Sequence, residues 1–372
     1  MRDATLLSSP VQRGFVLVAT LWLLAALTLA AGFFALWVER AVRTATEQQD
    51  AVQGDLDMQS TQATVLYLLS TQYYTFAGLT VPGPPATPLT ESELLAQLSD
   101  PNYDPMAQDE HDATPLGTEI LLNDQVYLGQ GHARFALQDE RGLLGLNLYN
   151  RDYLWRLLGL LGVADDQRDP LLSKFEDFLD FDDLYRLNGA ENQAYRERGL
   201  PPPLNRMLRS TQEVRQVLDW EEQTGIWQDE RWGQVTTTAL FNGAPIPNVN
   251  TAPLLVLEAM GIAPELALRL VEARRSLPVR SMQELTQVLG LDLGIDEMDA
   301  FFFASSSLRL TLWYNGAQRM RQLHLVMTPH ADQAKPWAVD YALELPLLES
   351  YKSPPAHAQT TLLDPTLPTT PK

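Results

Sequence analysis

The sequence predicts an α+β chain in which a long amino-terminal helix precedes a small antiparallel sheet, with a large all-α domain inserted into that sheet. Three observations carry the prediction. Phe15 to Val38 holds 24 residues without a charge, crude period-two alternation appears at residues 127–148 and again from Leu308, and the stretch between those two regions repeats with helical period.

The amino terminus comes first. Met1 to Gly14 is short and polar, with Arg2, Asp3 and Arg13 as its charges. The uncharged run that follows is roughly 36 Å long as a helix, enough to cross a hydrocarbon core of about 30 Å. A secretory signal carries a shorter apolar run ending in small residues, so removal after the span is not expected. Gln12-Arg13-Gly14-Phe15 resembles the type IV prepilin site, where a peptidase on the cytoplasmic face cuts after glycine and methylates the new first residue. On that resemblance the cut follows Gly14 and Phe15 is the mature first residue. Major pilins carry glutamate at mature position five, where it answers the amino terminus of a neighbouring subunit. Here that position is Ala19, which suits a subunit with no earlier neighbour. The alternative is a plain signal anchor. Arg2 and Arg13 precede the span but Arg40 and Arg43 follow it, so the positive-inside bias is weak.

The remaining elements divide the chain as follows: leader 1–14, membrane helix 15–38, helical stalk 39–78, irregular connector 79–117, first β region 118–150, helical insertion 151–302, second β region 303–348 and disordered tail 349–372. The connector is marked by Pro82, Pro84, Pro85, Pro88, Pro101 and Pro105. Leu308 to Leu312 alternates strictly, and Asn315-Gly316 supplies a hairpin turn before Arg321 to Met327. In the insertion, Leu171, Phe175, Phe178 and Leu179 share one helical face, and Ser210-x-x-Glu213 and Ser281-x-x-Glu284 read as capping boxes. The tail is rich in proline and threonine.

Composition narrows the chemistry. The 372 residues contain no cysteine, which excludes disulfides and thiolate sites, and the net charge of −20 repels phosphate backbones. Phe175 to Glu191 packs six acids into seventeen residues. Carboxylates converging at a helix end repel unless a cation joins them, and Ca²⁺ takes six to eight such oxygens. Counted from Asp180, Asp182 and Glu191 fall at EF-hand positions three and twelve, but Leu184 and Tyr185 occupy positions five and six, which excludes that motif. The other reading is a solvated acidic helix end. A hydrolase is not expected: no serine or cysteine nucleophile motif accompanies the acids, and the five histidines form no close pair.

Asn248-Val-Asn-Thr-Ala-Pro253 with Gly261 resembles a helix-hairpin-helix unit. Between Asn250 and Asp292, Arg269, Arg274, Arg275 and Arg280 meet five acids, so no nucleic-acid footprint is expected and Asn248 and Asn250 are assigned as turn and cap residues.

Taken in order, Arg13-Gly14-Phe15 with Ala19, Asp177-x-x-Asp180-x-Asp182 with Gly189-Ala190-Glu191, and Asn248-Val-Asn-Thr-Ala252 resemble the type II secretion minor pseudopilin K family. That resemblance implies a pilin-like fold with a helical insertion, and calcium held by Asp180, Asp182 and Glu191 with Asp177 and Asn192 beside them. It also implies a non-enzymatic subunit in the inner membrane, amino end cytoplasmic and main domain periplasmic, at the pseudopilus tip. The implied partners are the I and J pseudopilins, H as a further candidate, the prepilin peptidase and the inner-membrane secretion platform. A minor pilin of a type IV pilus is the alternative. Two departures from the family pattern stand out: Phe178 where tryptophan is usual, and Asn192 where an acid is common.

Overall fold

The computed structural model describes residues 15–81, 113–228, 230–238, 246–296, 300–328 and 335–364. Gly14 lies outside them, and Phe15 begins the first helix. The chain divides into two compact units, Met1–Leu56 and Asp57–Lys372.

Helix α1 (Phe15–Thr71) holds the one segment among the described residues long and apolar enough to cross a membrane. In the first unit the large apolar side chains Leu21, Trp22, Phe33 and Trp37 are all exposed. So continuous an apolar surface is stable only in a non-aqueous surrounding.

In the second unit, α1 buries Met58, Thr61, Val65, Leu68 and Leu69, the spacing of one helical face. That face packs on a five-stranded antiparallel sheet of order β3-β4-β7-β8-β9: Asn123–Leu128, Ala133–Asp139, Ser307–Tyr314, Arg319–Met327 and Trp337–Pro346. Its register sets Phe135 opposite Leu312 and Leu310 opposite Leu323. Leu308, Leu310 and Leu312 face the helix, whereas Trp313 faces the other side and stacks on Tyr351 at 4.7 Å. The β3–β4 turn grips the helix: Thr61 Oγ1 accepts from Gln130 N–H at 2.9 Å and Asp57 Oδ2 from His132 N–H at 2.8 Å. A Cβ on Gly129 would lie 2.5 Å from Thr61 Oγ1, so only glycine permits this approach. Two short pairs complete the β structure. Gly78–Leu79 (β1) pairs antiparallel with Ile120–Leu121 (β2), and Leu144–Gly145 (β5) pairs parallel with Val235–Thr236 (β6).

Between β4 and β7 lies the helical insertion: α2 (Arg151–Leu160), α3 (Asp165–Leu179), α4 (Asn192–Glu197), α5 (Thr224–Gln228), α6 (Leu254–Ala259), α7 (Pro264–Ser276) and α8 (Met282–Leu289). It has its own core, centred on Phe175, Phe178, Tyr195 and Trp220. Leu171, Phe175 and Phe178 are buried, and Leu179 packs at the rim. Ser281 caps α8 through Glu284 N–H at 3.2 Å, and Gly290 closes it in the left-handed conformation. After Ser210 comes a 3₁₀ turn, Thr211–Gln216, rather than an α-helix.

Several expectations need correction. Asn315-Gly316 does supply the turn between β7 and β8, as its two central residues with Gly316 at φ 89°, but the connection is longer than two residues. Four residues join β7 to β8, because Ala317 N–H closes on Tyr314 carbonyl and Asn315 N–H is drawn to His132 carbonyl at 2.9 Å. The stalk helix stops at Thr71 rather than residue 78, and the connector's ends are ordered through β1 and β2. Its proline-rich middle, 82–112, lies outside the described residues. The expected disordered tail is ordered through Asp364: Tyr351, Ala358 and Leu363 are buried, and Ala356 pairs with β3. Three apolar anchors outweigh the surrounding prolines. Residues 365–372 lie outside the described residues.

Candidate cation site and the neck of the insertion

The acidic loop starts where α3 ends. Asp180 N–H donates to Glu176 carbonyl at 3.1 Å as the last helical bond, and the chain turns back through Asn188 in the left-handed region (φ 64°). A Cβ on Gly189 would lie 1.9 Å from Asp177 Oδ2, so glycine is required for the loop to close over that acid. Ala190 and Tyr195 then anchor the far side: the Tyr195 ring lies tilted against Phe178 at 6.1 Å, and its hydroxyl accepts from Leu218 N–H at 2.9 Å.

This folding gathers Asp177, Asp180 and Glu191, each offering a carboxylate oxygen within 4.8 Å of the others. Asp177 is 0% and Glu191 1% exposed. Arg186, which sequence reading missed, reaches in: Nη1 donates to Asp177 Oδ1 at 2.8 Å and also to Asp180 Oδ2, and its backbone N–H donates to Asp177 at 3.3 Å. One guanidinium leaves the cluster of three acids short of charge. Both Glu191 oxygens and Asp180 Oδ1 are buried without a hydrogen-bond partner. Burial, followed by the fields of Asp177, Asp180, Asp183 and Asp182, pushes the Glu191 carboxyl up to about 7.

The other expected ligands stand apart. Asp182 accepts from Leu184 N–H at 2.8 Å and is exposed, while Asn192 Nδ2 donates to Asp183 Oδ1 at 2.7 Å. Along the same loop Phe181 and Leu187 are 82% and 86% exposed. The donor set is all oxygen, which matches a hard cation, and the orphaned oxygens are the kind such an ion satisfies.

A second group of buried acids lies where the insertion joins the sheet. Asp139, at the end of β4, accepts from Ser305 N–H (3.0 Å), Ser305 Oγ (2.7 Å), Asn248 Nδ2 (3.0 Å), Thr251 Oγ1 (2.9 Å) and Arg141 N–H (3.1 Å). Asn248 also donates to Phe303 carbonyl, and Asn250 clamps Val279 and Phe302. These asparagines therefore do more than cap. They tie the insertion's last hairpin to the strand entry. Next to Asp139, Glu140 meets His324 Nδ1 and the hydroxyls of Thr236 and Thr238. Burial raises the Glu140 carboxyl, but His324 and the two threonines outweigh it and hold it below the usual carboxylate range. In the hairpin of α6 and α7, Gly261 N–H is spent on Glu258 carbonyl. Arg274 turns inward to Val249 carbonyl, and Arg280 pairs with Glu284 at 2.7 Å.

Two models of the type II secretion system protein K family match the chain, one at residues 136–225 and one at 247–300. Between them they take in the acidic loop, most of the insertion and the asparagine clamp. The chain belongs to the type II secretion system protein K family. It is thus a minor pseudopilin of the K type, with the α+β fold expected of one. Among solved structures the chain is similar to one in the GspK-GspI-GspJ complex from the enterotoxigenic Escherichia coli type 2 secretion system. The two are 18% identical, with a TM-score of 0.44, over 62% of this chain and 84% of that one. No curated protein matches.

Proposed function

We propose that this K-family subunit caps the tip of the pseudopilus, as a structural part of the machine that exports folded proteins across the outer membrane. The observation that carries the reading is the insertion, a separate helical core set into the sheet between β4 and β7. A subunit so widened obstructs another from packing above it, and Ala19 offers no acid to a subunit that would precede it. The apolar half of α1 anchors the chain in the inner membrane, with the amino end cytoplasmic and the second unit periplasmic. The prepilin peptidase cuts after Gly14 and methylates Phe15. Other minor pseudopilins, of I, J and H type, and the inner-membrane platform are its partners; the complex of E. coli relatives named above supports the first of these.

We further propose that Asp177, Asp180 and Glu191 hold Ca²⁺, with Asp182 and Asn192 close enough in sequence to join through movement of their loop. A bound cation supplies the positive charge that Arg186 alone does not, tying the loop to the end of α3.

Deletion in the source organism tests the assignment: loss of protein secretion with twitching intact supports it, and the reverse outcome makes the chain a type IV minor pilin. Mass spectrometry of the membrane-bound protein tests processing. A mature terminus other than Phe15 overturns that part.

A further inference from the structure

The five-stranded sheet treats its two edges differently. At β3, Leu128 N–H donates to Ala356 carbonyl at 2.9 Å and Ala356 N–H to Val126 carbonyl at 2.8 Å, so the C-terminal segment closes that edge. At β9 nothing among the described residues does the same; the strand pairs with β8 alone. Leu347 N–H to Gln318 carbonyl (2.9 Å) and Thr328 N–H to Pro336 carbonyl (2.8 Å) set the phase of that ladder. Alternating from both ends, with Asp340 absorbed at the bulge, the backbone groups of Trp337, Val339, Ala342 and Glu344 point away from β8. Arg319 takes the Glu344 carbonyl at 2.8 Å, and Pro346 ends the strand. From Trp337 to Leu343 the edge carries one charge, Asp340, and exposed Ala338, Val339 and Ala342. Natural sheets usually guard an edge of this length.

The flanking surface says what fits. Leu343 and Leu345, cross-strand from Gln322 and Met320, line a cleft of about 530 Å³ together with Trp227, Arg215 and Leu347. A strand added to β9 lays alternate side chains beside Leu343 and Leu345, along that cleft. A second copy of this chain fits badly. Antiparallel self-pairing about Ala342 sets Asp340 opposite Glu344 in both halves, on a protein of net charge −20. Glu344 already meets Arg321 at 2.9 Å, so Asp340 is the acid still open to a partner.

We propose that the outer edge of β9 accepts, as a sixth strand, an extended segment of another subunit of the secretion machine. That segment is apolar beside Leu343 and Leu345 and basic opposite Asp340. The proposal rests on the reading that this chain assembles with other minor pseudopilins. Its test is hydrogen exchange on the full chain in detergent, alone and with the I-, J- and H-type pseudopilins of the same organism. In the complex the amides of Val339 and Ala342 are expected to exchange about tenfold more slowly or better, and Ala342→Pro and Val339→Lys each weaken assembly about tenfold. Both changes sit on the outward edge, so the melting temperature of the free chain stays put; if the proline variant does not fold, the lysine variant carries the test. A complex that forms with β9 exchange unchanged overturns the proposal and leaves the assembly reading intact. Failure to form any complex overturns both. Protection that grows with the concentration of this chain alone points to a second copy, and also overturns it.

Discussion

Two groups of buried acids in this protein resemble each other in composition and differ in what surrounds them. At the neck, the Asp139 carboxylate is fully buried and takes five donors from four residues, and the Glu140 carboxyl is held below its usual range. At the acidic loop, Glu191 is as deeply buried but has no donor, and its carboxyl is pushed above its range. A buried acid that the chain itself satisfies is a fastening. One that the chain leaves unsatisfied is a demand for something from outside.

The largest expected effect comes from breaking the fastening. Asp139→Ala strands donors from Asn248, Thr251 and Ser305 inside the neck and is expected to cost about 3–5 kcal/mol, the range for removing one side of a buried charged network. Denaturant unfolding of the detergent-solubilised chain measures it, and a loss under 1 kcal/mol would remove the contrast. Next comes supplying the demand. Calcium at a hundredfold excess over its Kd is expected to stabilise the chelator-stripped protein by about 2.7 kcal/mol. Calorimetry showing neither binding heat nor a shift in melting temperature ends the cation reading. Glu191→Gln should abolish the calcium response, while Asn192→Ala should weaken it at most slightly, since Asn192 is engaged with Asp183.

The pH response sharpens the same comparison. Glu140 has a folded pKa below its unfolded one, so its stabilisation is fully present above about pH 4.5 and drains away as pH falls through the folded value. Glu140→Gln should flatten that acid limb in urea titrations between pH 3 and 6, chosen to span the usual carboxylate range of about 4.3. An unchanged limb would mean other acids dominate it.

How much of this was legible beforehand follows from sequence distance. Helix α1 and the β7–β8 pair were readable because an uncharged run and strict alternation are local patterns. Strand β9 alternates just as strictly, at Trp337, Val339, Tyr341, Leu343 and Leu345, but the bulge at Asp340 turns the first two to the opposite face from the last three, which no local pattern reveals. In the acidic loop, the spacing pointed to Asp180 and Glu191 but could not reveal Arg186, whose inward reach depends on the left-handed turn at Asn188. Asp139 was illegible altogether: its partners Asn248, Thr251 and Ser305 lie 109, 112 and 166 positions away.

The smallest effect separates the loop's two kinds of residue. Phe181 and Leu187 sit among the acids yet are largely exposed, and neither belongs to the insertion's core or to the gathered carboxylates. Leu187→Ser should therefore change unfolding free energy by about 0.5 kcal/mol or less, and leave calcium affinity within error. Gly189→Ala, two positions on, puts a methyl group into Asp177 and should damage both. If the two substitutions behave alike in calorimetry, the loop is a loose acidic segment rather than a folded cation site.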